Sequence, residues 1–69
     1  MHNIYQYFST KHEIEDKQKL LNQINQKLST LNPEIYAGLI EELNQKVIVL
    51  QNEITELNQK LNSMVEHTL

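Results

Sequence analysis

Tyr36, Ile40, Leu43, Val47, Leu50, Ile54, Leu57, Leu61 and Met64 follow one another at alternating steps of four and three residues, without an error. An α-helix turns about 100° per residue, so this spacing lays an apolar stripe along one face of a long helix. The repeat is a heptad, with Ile40, Val47, Ile54 and Leu61 at position a, and Tyr36, Leu43, Leu50, Leu57 and Met64 at position d. Mostly β-branched residues at a, with mostly Leu at d, favour two strands in parallel coiled coils. The short runs INQKL (24–28), LNQKV (43–47) and LNQKL (57–61) repeat the same order of apolar and polar residues.

The first half of the chain carries a narrower stripe. Ile14, Leu21 and Leu28 share one phase, Ile24 and Leu31 stand three residues after the last two, and Lys11 and Lys17 interrupt the series. Thr10 and Glu13 have the Thr-x-x-Glu form of a capping box, which predicts a helix start near Ser9 or Thr10. Between the halves, Asn32 can cap a helix, Pro33 suits a first helical position, and Leu31 can pack on Tyr36. The residue before a proline avoids the α region, so the chain is expected to turn at 30–33 rather than continue as one kinked helix. The expected organisation is a single helical domain over 1–69: an aromatic segment at 1–9, a first helix at 10–31 and a longer second helix at 32–66. Ile4, Tyr5, Tyr7 and Phe8 are expected to fold over Leu57 and Leu61 at the far end of the second helix or, as the alternative, to form an exposed aromatic patch that docks another protein. Glu13/Lys17, Glu15/Lys19, Glu42/Lys46 and Glu56/Lys60 stand four residues apart, where each pair supports a helix by about 0.2–0.5 kcal/mol.

The run Val47-Ile48-Val49-Leu50 breaks the heptad rule by adding two apolar residues to the seam pair. Four consecutive helical residues point to four quarters of the helix, so its middle is apolar all round and calls for cover from more than one side. The expectation is therefore all-α: a two-helix antiparallel hairpin with a long heptad-patterned second helix, assembling as a coiled coil or four-helix bundle. Its partner is itself, as a dimer, or another helical protein. The expected contact set is Tyr36, Ile40, Leu43, Val47, Ile48, Val49, Leu50, Ile54, Leu57 and Leu61.

Length strengthens that expectation, because a chain of 69 residues buries a marginal core and has no cysteine to staple it. Charge removes other classes. The net charge is −3 and every basic side chain is a lysine, so the positive field and guanidinium forks of nucleic-acid binding are missing. Four residues make the longest apolar run, far short of the roughly 20 needed to cross a bilayer. The N-terminus lacks the charged-then-apolar pattern of a secretion signal, which predicts a cytoplasmic protein. His2, His12 and His67 are scattered, and His12 with Asp16 offers two metal ligands where zinc sites use three or four. Ser9, Ser29 and Ser63 have no neighbouring base, and the adjacent carboxylates Glu15/Asp16 and Glu41/Glu42 diverge by about 100° on a helix. The chain is expected to hold no cofactor or metal, to take no small-molecule substrate and to be no enzyme.

Two resemblances add functional expectations. The stretch from Ile14 to Gln51 resembles the small helical-hairpin aspartyl-phosphate phosphatases that restrain sporulation. Their Ser-Gln-Glu-Leu-Asp core falls on Ile40-Glu41-Glu42-Leu43-Asn44, with Ile40 in place of the Ser and Asn44 in place of the functional Asp. That likeness implies a regulator of a phosphorylated signalling protein. NPEIY followed by a heptad helix is similar to the small co-chaperones of type III secretion needle subunits, which implies a hairpin that shields a partner's apolar helix. Against both stands a plainly structural coiled-coil segment.

Overall fold

A computed structural model describes residues 4–68, with side chains as far as Val65. Two helices, α1 (Ile4–Thr30) and α2 (Ala37–Thr68), pack side by side and antiparallel, joined by residues 31–36. The result is an all-α helical hairpin, a rod with Cα extents of 52 × 14 × 12 Å. No helix among the described residues is long and apolar enough to cross a membrane.

The seam has the same spacing on both helices. On α1 the inward positions are Tyr7, Ile14, Leu21 and Leu28 at a and Thr10, Lys17 and Ile24 at d, stepping by three and four like the stripe of α2, and Leu31 just past its end continues them. Ile14, Ile24, Leu43, Leu50, Ile54 and Met64 are buried, and Ile24, Leu43 and Leu50 form a cluster packed by Leu21, Leu28, Leu31 and Val47. Each such burial contributes roughly 1.5–3 kcal/mol.

One ion pair pins the register. Lys17 Nζ reaches across the hairpin to Glu53 Oε2 at 2.5 Å. Both helices rise about 1.5 Å per residue, so this contact sets Leu21 level with Leu50, Leu28 with Leu43, and Ile14 with Leu57. Lys17 was expected to pair along its own helix with Glu13. It turns inward because it stands at a seam position, where the carboxylate within reach belongs to α2.

The start of α1 differs from the expectation. The helix begins at Ile4, six residues before Thr10, and Thr10 is buried inside it rather than capping it. Tyr7 and Thr10 continue the seam, and packing against the far end of α2 outweighs a local capping signal, since most helical stability in proteins comes from the packed face. The two helices, about 40 Å and about 48 Å at 1.5 Å per residue, therefore match in length more closely than helices over 10–31 and 32–66 would. Of the four apolar residues expected to fold over Leu57 and Leu61, only Tyr7 turns inward; Ile4, Tyr5 and Phe8 stay exposed.

The turn forms at Asn32, as the sequence predicts, yet α2 does not begin there. The Asn32 carbonyl accepts from the Ile35 and Tyr36 amides at 3.1 and 2.9 Å, and its side-chain Oδ1 accepts from the Glu34 amide at 3.0 Å. This closes one helical turn, and the regular helix starts again at Ala37, with the Tyr36 carbonyl accepting from Ile40 at 2.9 Å. Gly38, the weakest helix former in the chain after Pro33, sits at that restart. On the other side, the Ser29 and Thr30 hydroxyls donate to the carbonyls of Gln26 and Lys27 one turn back, in the last turn of α1.

Candidate interaction surface

The four-residue apolar run resolves into three directions. Val47 and Leu50 face α1, whereas Ile48 and Val49 are 58% and 53% exposed. In heptad terms Ile48 is at b and Val49 at c, on opposite flanks of the rod. An antiparallel pair brings g positions of both helices to one edge and e positions to the other, so each flank combines residues of α1 and α2.

On the g and c flank an open groove of about 710 Å³ runs beside the seam. Leu20 from α1, 46% exposed, and Val49 from α2 form its walls; Ile24 and Leu50 form the floor; Glu42, Lys46 and Glu53 rim it. Farther along, toward the chain ends, Glu13, Lys17, Glu53, Glu56 and Lys60 border a second, smaller hollow over Leu57. The hydrogen bond from Lys17 to the Glu53 carboxylate holds its ammonium pKa above the ordinary lysine value of 10.5; partial burial works against this, and the charges of Glu53 and Glu13 add to the rise.

On the e and b flank the surroundings of Ile48 are neutral. Gln18, Asn22, Asn25, Asn44, Gln51 and Asn58 line it, all exposed, with no charged residue among the e and b positions from 18 to 29 and from 44 to 62.

The residues that the sequence nominates as a contact set therefore separate. Leu43, Leu50 and Ile54 are buried, and Ile40, Val47, Leu57 and Leu61 are partly covered along the same face. That seam is occupied by the chain's own α1, and what it leaves open is the edge where Ile24 and Leu50 floor the groove. Tyr36, Ile48 and Val49 remain exposed, Tyr36 at the turn. Leu20 was not nominated. Its signal was present in the doublet Leu20-Leu21, an apolar residue beside a seam residue, as Val49 stands beside Leu50.

Within Ile40–Asn44, Leu43 is buried while Glu42 lines the groove and Asn44 lies on the opposite flank, so Glu42 and Asn44 share no surface. His12 Nδ1 stands 4.0 Å from Glu15 Oε2 rather than pairing with Asp16, and His2 lies outside the described residues. Among the described residues no three His, Cys, Asp or Glu side chains gather as metal ligands. No protein-family model, curated protein or solved structure matches the chain.

Proposed function

We propose that this chain is a non-enzymatic protein–protein interaction module, which receives a helical partner in the groove between Leu20 and Val49. The observation that carries the reading is the exposure of these two apolar side chains, one from each helix, over a floor made by seam residues. A groove between two parallel rods matches the ridge of a third helix, and ridge-into-groove contact is how helices pack. Covering Leu20 and Val49 also meets the need for outside cover that a chain with so small a core has.

The charged rim fits a role in orientation. Lys46 and Glu53 flank Val49 on α2, where they can select among partners without burying their charge. The test is the double variant Leu20→Asp/Val49→Asp. It retains the helical circular dichroism of the hairpin, because neither residue is in the seam, and it loses association in sedimentation velocity, whether with itself or with a co-purified native partner. Association unchanged by the double variant contradicts the proposal.

A further inference from the structure

Charge along the groove identifies its occupant. On the side toward the turn, the g and c flank carries Lys27 and Lys46 with Glu42; on the side toward the chain ends it carries Glu13, Asp16, Glu53 and Glu56. Lys17 is taken up by Glu53, and Lys60 lies farther out. The flank is thus basic-leaning at one end of the groove and acidic at the other.

We propose that the groove is filled by a second copy of this chain, docked antiparallel about a two-fold axis that crosses α2 midway between Lys46 and Glu56, beside Leu20. The inference rests on the groove being the docking surface and names the partner. Such an axis lays Lys46 of each copy toward Glu56 of the other, so the favourable meeting occurs twice, as an isologous interface requires. A parallel arrangement instead sets Glu53 and Glu56 against their own counterparts. With a net charge of −3 on each copy, long-range repulsion opposes pairing, and the antiparallel order brings unlike charges together at short range. Covered along its whole length, the rod face of 52 × 14 Å gives at most roughly 700 Å² per copy, below the about 800 Å² per partner of a standard stable interface. A concentration-dependent dimer is the expected state, a four-helix bundle made from two hairpins.

Sedimentation equilibrium of the purified full chain tests this with a charge swap. Lys46→Glu and Glu56→Lys should each weaken the dimer at least about tenfold, and the double variant Lys46→Glu/Glu56→Lys should recover affinity close to that of the parent. Circular dichroism on each protein confirms that the hairpin is intact. A chain that stays monomeric at every concentration overturns the second copy as occupant, and a dimer indifferent to the swap overturns the antiparallel docking. If the monomeric chain forms a complex with another helical protein that Leu20→Asp/Val49→Asp abolishes, the groove reading stands and only the occupant is wrong. If a dimer forms and survives Leu20→Asp/Val49→Asp, the groove reading falls as well.

Discussion

The two flanks of this rod are built on the same pair of helices and share one seam, yet they differ in chemistry. One carries an apolar groove between Leu20 and Val49 rimmed by lysine and glutamates; the other, along its middle, carries Ile48 among asparagines and glutamines, with exposed Ile4, Phe8 and Val65 set apart at the chain ends. Neutral amides are satisfied by water and impose no orientation on a partner, whereas alternating charge beside an apolar hollow distinguishes one docking direction from another. An exposed isoleucine standing singly is ordinary on a protein surface. Two exposed apolar residues contributed by separate helices over a shared floor are what an interface needs.

The seam that supports both flanks gives the largest expected effect. Leu50 is 8% exposed and belongs to the central cluster, so Leu50→Ala should cost about 2–5 kcal/mol. A hairpin of this size has little more than that to lose. The helical circular dichroism at 222 nm should collapse, removing groove and amide flank together. A variant that keeps full helicity would separate the flanks from the seam in a way this packing does not allow.

A smaller effect belongs to the groove side alone and depends on pH. The folded-state pKa of Lys17 is raised, so its contribution to stability is complete below the ordinary value of 10.5 and is lost as pH climbs through the raised value. Thermal unfolding between about pH 8 and about pH 12 should show an alkaline loss in the parent that Lys17→Met lacks. Every other side chain is common to the two proteins, so the difference isolates Lys17. Equal alkaline losses would mean that the Lys17–Glu53 bridge does not help hold the register.

Much of this architecture is legible in the spacing of apolar residues. The unbroken stripe from Ile40 to Met64 gives α2 its inward face, and Asn32-Pro33 marks the reversal. The extent of α1 is hidden because two of its seam positions, Thr10 and Lys17, are polar. A hydrophobic pattern reads them as interruptions, although burial and a cross-hairpin ion pair suit each to its place. The capping signal at Thr10 is genuine local chemistry that tertiary packing overrides. The exposure of Ile48 and Val49 follows from their being between seam residues. Which flank each belongs to does not, since that depends on α1 running antiparallel in the register set by Lys17 and Glu53. Leu20 joins the groove for the same reason: its neighbour Val49 is 29 positions away and becomes adjacent only after the chain turns.

Adjacent residues on opposite flanks provide the most direct test. Ile48→Asp and Val49→Asp make the same change in charge and nearly the same loss of apolar surface, at positions of similar exposure on one helix. In sedimentation equilibrium Val49→Asp should weaken association at least about tenfold, while Ile48→Asp should leave it within about threefold of the parent. The reverse order, with Ile48→Asp dissociating the assembly and Val49→Asp leaving it intact, would contradict the account.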